Sequence, residues 1–312
     1  MDNPLIAIAL IIALLPLLGS LVAGLMGHQL GHTLTHRIAI TLVGLSFFLS
    51  CYLFNIIVLK GHPAVEETFY TWASAGMMRF DVAFLVDRLS AVMIMVVLFV
   101  SLMVHIYTIG YMADDPGYAR FFSYVSLFTF AMLMLVLANN FLLMFFGWEG
   151  VGLVSYLLIG FWFKREAAVF GGLKAFLVNR IGDVGFILAM AAVLKFFGTL
   201  SYHEVFHQVP SVMNSVVAIF PHYEAPAITV ICLLLLIGAM GKSAQVPLHV
   251  WLPESMEGPT PISALIHAAT MVTAGIYMIA RMSPMSPTAS SRVRSSVWIA
   301  AIAPPIRCNL RW

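Results

Sequence analysis

The sequence predicts an all-α, polytopic membrane protein with about eight transmembrane helices. Of its 312 residues, 61% are hydrophobic and only 10% are charged, whereas about 25% are charged in an ordinary soluble domain. So few polar groups could not cover this apolar surface in water, and lipid is the solvent that fits. A bilayer core of roughly 30 Å needs about 20 apolar residues in a helix. Eight runs qualify, at about residues 4–26, 38–60, 83–108, 121–138, 139–162, 170–197, 226–247 and 261–281.

The order of these runs divides the chain into four regions. Residues 1–60 hold the first two helices, and residues 61–82 lie outside the membrane. In this second region aromatic and polar residues alternate around Ser74-Ala75-Gly76, which predicts a short β-hairpin. Residues 83–284 form a bundle of six helices. Residues 285–312 are an atypical tail, rich in Ser, Pro and Arg and without an acidic residue.

The charges of the loops predict the orientation of the bundle. With the N-terminus outside, the inner loops hold Arg37, Arg120, Lys164 and Arg165, and the outer loop 198–225 has no Lys or Arg. Cytoplasmic loops of membrane proteins carry this excess of positive charge.

Several classes of site have no ligands in the sequence. The three cysteines, Cys51, Cys232 and Cys308, lie far apart, and CxxC, HExxH, Walker A and GxGxxG motifs are missing. The formal net charge of +2 provides no basic field for nucleic acid. His28, His32 and His36 recur every four residues between the first two helices. This region is interpreted as a simple connection, and a metal site is the less favoured alternative. Iron–sulfur clusters, zinc and dinucleotides are not expected on this chain.

Glu149 is the first of four ionisable positions within the predicted helices. An ionisable side chain at the centre of a bilayer costs at least about 2.5–3.5 kcal/mol. Counted from Asn139, Glu149 lies about 15 Å into its helix, near the bilayer centre. Gly147, Gly150 and Gly152 allow neighbouring helices to approach closely. Glu149 is therefore a candidate for proton transfer, and a structural ion pair is the alternative.

Lys242 is the second position, beside a predicted break in the seventh helix. Pro247 lacks an N–H group and clashes with the carbonyl of Ser243, so the helix should end beside the lysine. The C-terminus of a half-helix carries partial negative charge, which stabilises a cation. A second proton-transfer role is predicted here, and a lysine that reaches the membrane surface is the alternative.

The remaining positions are His267 and the pair formed by Arg180 and Asp183. His267 lies on a helix with a stripe of hydroxyl residues and could relay protons, or it could simply be a hydrogen-bonded packing residue. Arg180 and Asp183 stand at i, i+3, hence on one helix face, where they neutralise each other or tune Glu149. Asp87 and Arg88 are predicted to form an interfacial pair.

Six motifs together carry a resemblance to a known family. They are Phe84-Leu-Val-Asp-Arg-Leu-Ser, His105-Ile-Tyr-Thr-Ile-Gly-Tyr-Met, Gly147-Trp-Glu-Gly-Val-Gly-Leu-Val-Ser-Tyr, Asn179-Arg-Ile-Gly-Asp, Gly241-Lys-Ser-Ala-Gln and Gly258-Pro-Thr-Pro-Ile-Ser-Ala-Leu-Ile-His-Ala-Ala-Thr. These segments resemble the antiporter-like membrane subunits of proton-pumping NADH:quinone oxidoreductase (respiratory complex I), up to about Pro284. The Trp-Glu-Gly-Val-Gly form is similar to the chain L branch of the family rather than to chains M and N.

The resemblance implies an antiporter-like first repeat with a broken seventh helix. Glu149 matches the fifth-helix glutamate, Lys242 the lysine of the broken helix, and His267 the eighth-helix histidine, and all three are implied to transfer protons. Arg180 and Asp183 match a supporting pair that the family places near the glutamate. In the expected mechanism Glu149 and Lys242 are held together and switch each other's charge before the proton passes towards His267.

The resemblance also implies the setting in which the chain works. The expected partners are the lipid bilayer, protons and other membrane subunits of complex I, above all the neighbouring antiporter-like chain M. NADH, FMN, iron–sulfur clusters and quinone would belong to other subunits, and the location would be the inner (plasma) membrane. A cation/proton antiporter subunit of the Mrp type and an inactive structural fragment are the alternatives.

The tail at 285–312 departs from the pattern of the family. Family members continue into a second repeat and a long lateral helix, and the Ser/Arg-rich tail does not resemble what they have there. We therefore expect this segment to reflect a truncated or frameshifted reading of a longer protein.

Overall fold

The first membrane region is a helical hairpin that turns at a single residue. The computed structural model describes residues 3–75, 78–220 and 223–285. Helix α1 (Pro4–Phe54) continues as a π-helical segment (Asn55–Leu59), but Gly31 leaves the helical conformation with φ 71° and ψ 171°. The arms before and after Gly31 pack side by side, since Ser46 Oγ donates to the carbonyl of Ile12 at 3.1 Å. Glycine adopts this positive φ without steric cost. Both helices therefore extend into residues that the sequence analysis assigns to a connection.

A β-hairpin follows α1. Strand β1 (Val65–Ala75) pairs antiparallel with β2 (Met78–Val86), and Val65 lies opposite Val86. The strands lie where the alternation of aromatic and polar residues predicts them. The second strand, however, continues through residues 83–86, which were predicted to be helical.

Long apolar helices form the rest of the bundle. They are α2 (Arg88–Tyr111), α3 (Tyr118–Leu137), α4 (Phe141–Ile159), α5 (Glu166–Phe197) and the segment Thr260–Arg281. Within the described ranges six helices, with the two arms of α1 taken as one, are long and apolar enough to cross a membrane. The two arms counted separately, together with the shorter apolar α7 (Ala227–Lys242), agree with the prediction of about eight segments.

The hairpin is fastened to the start of α4 by two asparagines. Asn140 caps the helix by accepting a hydrogen bond from the N–H of Leu143, and its amide donates to the carbonyl of Asp81, both at 2.8 Å. Asn139 donates to Glu66 Oε1 at 2.8 Å. These contacts place the hairpin over the end of the helix that carries Glu149.

The region between α5 and α7 contains structure that the sequence analysis missed. It holds α6 (Tyr202–Val212), β3 (Val216–Phe220) and β4 (Tyr223–Pro226), and the two strands pair antiparallel. Ser201 forms a β-bridge with Asn140, so this region lies on the same side of the bundle as the first hairpin.

The seventh helix is broken where proline predicts the break. Helix α7 ends at Lys242, and two 3-10 turns, Leu248–Trp251 and Glu254–Glu257, follow Pro247. The eighth membrane segment is also irregular. It is made of α8 (Thr260–Ser263), a π-helical turn (Ala264–Ala269) and α9 (Met271–Arg281).

Glycines set the spacing between the helices of the bundle. A Cβ atom built on Gly147 would lie 2.5 Å from the backbone nitrogen of Leu135, so α4 touches α3 directly. A Cβ atom on Gly182 would lie 3.0 Å from the Cα atom of Gly241, which brings α5 against the end of α7. Close approach of this kind is how membrane helices gain packing energy when lipid is as apolar as their side chains.

Asp87 joins the two ends of the bundle sequence. It caps α2 in a reciprocal capping box with Ser90, and its carboxylate binds the guanidinium of Arg281, 194 residues away. Arg281 Nη2 also donates to the hydroxyl of Tyr277 at 2.6 Å. The prediction that Asp87 pairs with Arg88 is therefore wrong. The pair of Asp87 with Arg281 holds the end of α9 against the start of α2.

The contact at Gly147 predicts that adding one methyl group there strongly lowers the stability of the fold. Gly147→Ala should lower the thermal midpoint in detergent, because the backbone of Leu135 cannot move aside and overpacking costs about 1–3 kcal/mol. Gly110→Ala is the control, because its Cβ would meet nothing within 4 Å and alanine favours helix. Equal midpoints for the two variants would contradict the packing described.

The Asp87–Arg281 pair predicts a stability that depends on pH. Burial alone would raise the pKa of Asp87, but the hydrogen bond and charge of Arg281, together with Ser90, outweigh it and hold the pKa below its ordinary value. A lowered pKa stabilises the fold above the unfolded-state value of about 4 and the contribution is lost as pH falls through the folded-state value.

Asp87→Asn should therefore be less stable than the native chain at pH 7, and the difference should shrink as the pH falls below about 4. Thermal unfolding across this pH range measures it. Asp114→Asn, at an exposed position, is the control. A difference that stayed constant with pH would count against the pairing.

Candidate functional site

Three helices bring four charged side chains together inside the bundle. Glu149 comes from α4, Arg180 and Asp183 from α5, and Lys242 from the last residue of α7. We call these four residues the charged network. Its two carboxylates and two cations balance, which limits the cost of placing charge away from water.

Glu149 and Arg180 form one end of the charged network. Arg180 Nη1 donates to Glu149 Oε2 in a direct ion pair, and the guanidinium also lies over the ring of Phe176, 4.7 Å from its centroid. The other carboxylate oxygen, Oε1, is buried and has no hydrogen-bond partner among the described residues. The Glu149 side chain as a whole remains 25% exposed, so this end of the network is only partly buried.

Asp183 and Lys242 form the deep end of the network. Both side chains are 1% exposed, and Lys242 Nζ lies 3.9 Å from Asp183 Oδ2. Arg180 Nη1 lies 3.8 Å from the same oxygen, and Trp148 Nε1 donates to Asp183 Oδ1 at 2.7 Å. Asp183 thus stands between the two cations and links the shallow ion pair to the buried lysine.

The expected direct pairing of Glu149 with Lys242 is not what the structure contains. Glu149 is bound to Arg180, and the carboxylate beside Lys242 is that of Asp183. The two residues are joined through the polar chain of Arg180 and Asp183 instead. Arg180 and Asp183 therefore connect Glu149 to Lys242, in addition to compensating each other's charge.

The pocket for the Lys242 ammonium is made by a glycine and a helix end. A Cβ atom on Gly152 would lie 2.4 Å from Lys242 Nζ, so any larger residue would displace the ammonium. The C-terminal end of α7 supplies partial negative charge beside the cation. The indole Nε1 of Trp251 donates to the carbonyl of Gly241 at 3.0 Å and holds the chain that follows the break against this end.

His267 lies apart from the charged network. Its Nε2 is 2.9 Å from Ser255 Oγ, and its ring meets that of Trp251 edge to face with centroids 6.0 Å apart. The hydroxyl of Ser255 donates to the carbonyl of Leu252, which favours the tautomer in which Nε2 of the histidine carries the proton and donates to Ser255. Nδ1 is then a bare acceptor, and it has no hydrogen-bond partner in the described structure.

The described residues provide no hydrogen-bonded path from Lys242 to His267. Trp251 touches both regions, but its indole has a donor and no acceptor, so it cannot pass a proton on. The relay from the lysine to the histidine stays a prediction, and it needs water between them.

Two ion pairs outside the network were missed by the sequence analysis. Lys174 on α5 binds Glu254 in the segment after the helix break, and Arg281 binds Asp87. Each pair joins residues at least 80 positions apart. The spacing of residues in the sequence does not predict pairs between such distant positions. A charged side chain near an apolar helix nevertheless indicates that it has a partner of opposite charge.

The histidines between the first two helices pack against an aromatic residue. His32 stacks on Tyr118 with centroids 4.4 Å apart, and His36 Nδ1 lies 2.9 Å from the Tyr118 hydroxyl. Among the residues that the structure describes, no three His, Cys, Asp or Glu side chains are arranged to hold a metal ion.

The fold and the charged network define a class of protein: a polytopic, antiporter-like membrane protein with ionisable residues buried in its helix bundle. A family model described as "NADH:quinone oxidoreductase/Mrp antiporter, TM" matches residues 138–306, and one for the N-terminus of complex I chain 5 matches residues 72–122. The chain belongs to the NADH:quinone oxidoreductase/Mrp antiporter transmembrane family, and the resemblance drawn from the six motifs is confirmed.

Individual relatives agree with this membership. The chain is 58% identical over 262 residues to NADH-quinone oxidoreductase subunit L of Neisseria meningitidis serogroup B, covering 83% of this chain and 39% of that protein. It is 51% identical over 252 residues to NADH-ubiquinone oxidoreductase chain 5 of Triticum aestivum, covering 80% and 37%. The chain thus spans less than half the length of these curated relatives.

Solved structures support the fold. A chain of the Mrp complex from Dietzia sp. superposes with a TM-score of 0.73 at 26% identity, covering 90% of this chain and 28% of that one. A chain of an archaeal membrane-bound sulfane sulfur reductase has a TM-score of 0.72 at 20% identity, covering 89% and 41%, and supports the fold alone.

The pairing of Asp183 with Lys242 predicts non-additive effects on stability. Asp183→Asn should lower the thermal midpoint strongly, because an uncompensated buried charge costs about 3–5 kcal/mol. Lys242→Met should also destabilise the chain, and the double variant should recover much of the loss. Thermal unfolding of the native chain, the two single variants and the double variant in detergent forms a double-mutant cycle. Additive losses would mean that the two residues do not interact.

Proposed function

We propose that this chain is a membrane subunit of NADH:quinone oxidoreductase and translocates protons, driven by electron transfer from NADH to quinone. The carrying observation is the charge-balanced network of Glu149, Arg180, Asp183 and Lys242 in a membrane bundle, in which the last two side chains are fully buried. Ionisable residues at this depth in membrane proteins mark ion pathways, because lipid excludes charge that has no role. Family membership and relatives named as subunit L or chain 5 support the same function.

The proposed mechanism uses Arg180 as the connection between the two carboxylates. Arg180 binds Glu149 and lies 3.8 Å from Asp183, which in turn faces Lys242. Opposite charges about 4 Å apart attract by about 4 kcal/mol at an effective dielectric constant of 20. Protonation of Glu149 would free Arg180 to turn towards Asp183 and weaken the hold of that carboxylate on the lysine's proton.

The remaining steps are assigned to His267 and to other subunits. His267, with Nδ1 free to accept, is proposed to receive the proton from Lys242 through water. We infer that NADH, FMN, iron–sulfur clusters and quinone are bound elsewhere in the complex, that the neighbouring antiporter-like chain M is the direct partner, and that the complex lies in the inner (plasma) membrane. Residues 286–312, which hold nearly all of the predicted atypical tail, lie outside the described residues, so the origin of that tail stays a prediction.

A cation/proton antiporter subunit is the second candidate. The observation that favours it is the superposition with a chain of the Dietzia Mrp complex. Co-purification separates the two proposals: redox subunits retained with the chain favour the oxidoreductase, and antiporter subunits favour the alternative. A chain that assembles with neither would instead be the inactive structural fragment.

Glu149→Gln provides the test of proton transfer. The variant keeps the shape of the side chain and a hydrogen-bond acceptor for Arg180, but it cannot ionise. The assembled complex in proteoliposomes should lose most of its proton pumping per electron, because the switch in charge is lost.

Glu224→Gln is the matched control, since this residue is exposed on β4, outside the membrane bundle. It should leave proton pumping unchanged. An unaltered ratio of protons to electrons in Glu149→Gln would refute the role of Glu149.

A further inference from the structure

A polar cavity lies between the first hairpin, the α3–α4 turn and the start of α6. Its volume is about 490 Å³, and its lining includes Glu66, Asp81, His203, Glu204 and Arg79. We call it the vestibule. Three carboxylates against one arginine give it an excess of negative potential, which raises the local concentration of cations, protons included.

An apolar groove begins where the vestibule ends. It has a volume of about 590 Å³ and is lined by side chains of the hairpin and of α4, among them Trp72, Leu142 and Phe146. Asp81 lines both the vestibule and the groove. The two spaces therefore adjoin at this residue.

The far end of the groove is Glu149. Its side chain lines the groove, and its Oε1 atom has no hydrogen-bond partner among the described residues. Glu149 lies nine positions after Asn140 at the vestibule, which corresponds to about 13 Å along the helix. The groove therefore extends along α4 from the vestibule towards the partly exposed end of the charged network.

We propose that Glu149 exchanges protons with water on the hairpin side of the membrane through this groove, with Asp81 at its mouth. This inference rests on the proposed function and adds the side of the membrane with which the glutamate exchanges protons. Protons gather in the vestibule, and a transient file of water carries one to Glu149 Oε1 or removes it. The apolar walls keep the groove dry for most of the time and so act as a gate.

Cysteine accessibility tests the route without relying on pumping. Glu149→Cys and Leu142→Cys are made in a background in which Cys51, Cys232 and Cys308 are replaced by serine or alanine. Membrane-impermeant methanethiosulfonates, one cationic and one anionic, are added to sealed vesicles of both orientations. Leu142→Cys lines the groove near its vestibule end and leaves the ion pairs intact, in case Glu149→Cys does not fold.

Both cysteines should react from the hairpin side and not from the opposite side. The cationic reagent should be faster by a factor on the order of 10, because the vestibule attracts positive charge. Adding Asp81→Asn should remove most of this advantage, while its amide still accepts the hydrogen bond from Thr71. Glu224→Gln, which lines neither cavity, should leave the rates unchanged. Val151→Cys, at a buried position of α4, should not react from either side.

Reaction from the opposite side only, no reaction of either cysteine, or labelling of Leu142→Cys without Glu149→Cys in a folded protein would overturn the route. An Asp81→Asn variant that reacts as before would remove Asp81 from it. Loss of pumping in Glu149→Gln together with any of these results would leave the proposed function standing. If Glu149→Gln pumps normally and the cysteines are labelled from the hairpin side, the proton-transfer role of Glu149 is refuted. The route by which water reaches this residue through the groove would then still stand.

Discussion

The pairing of Asp183 with two cations and an indole is the interaction on which the bundle and its site depend. Asp183 is buried, and it accepts a hydrogen bond from Trp148 while facing Lys242 and Arg180. An isolated ion in this position would cost several kcal/mol of desolvation. Because these three partners come from α4, α5 and α7, the helices must stay together for the charges to be compensated. Fold and candidate site are therefore stabilised by the same contacts.

Much of the fold follows from local sequence because lipid leaves the backbone few choices. In a bilayer each N–H and C=O group must be paired within its own helix, so an apolar run of sufficient length predicts a helix directly. The break before Pro247 follows from the same requirement, since proline removes a donor. Contacts between distant segments carry no such signal. Sequence proximity favours Arg88 as the partner of Asp87, yet the partner is Arg281, 194 residues away, because packing of α9 against α2 places it there.

The members of the candidate site could be predicted from the sequence, but only one of its pairings could. A carboxylate or ammonium within an apolar run is conspicuous in a sequence, which is why Glu149, Arg180, Asp183 and Lys242 could all be named. Which charge meets which depends on how the helices rotate and approach. Spacing within α5 predicts the pair of Arg180 and Asp183, which the structure contains at 3.8 Å, but it does not predict that the guanidinium also binds Glu149 on α4. The close contact between Gly182 and α7 allows Lys242 to come within 3.9 Å of Asp183.

The geometry of α4 decides how the two ends of the network can communicate. Trp148 and Gly152 stand at i, i+4 and share one face of the helix, where they contact Asp183 and the ammonium of Lys242. Glu149, one residue after Trp148, is turned by about 100° and meets Arg180 beside the apolar groove. Glu149 pairs with Arg180 and not with Lys242. The chain of ion pairs between the glutamate and the lysine runs through Arg180 and Asp183. Both of these residues lie on α5, so this helix joins the partly exposed end of the site to its buried end.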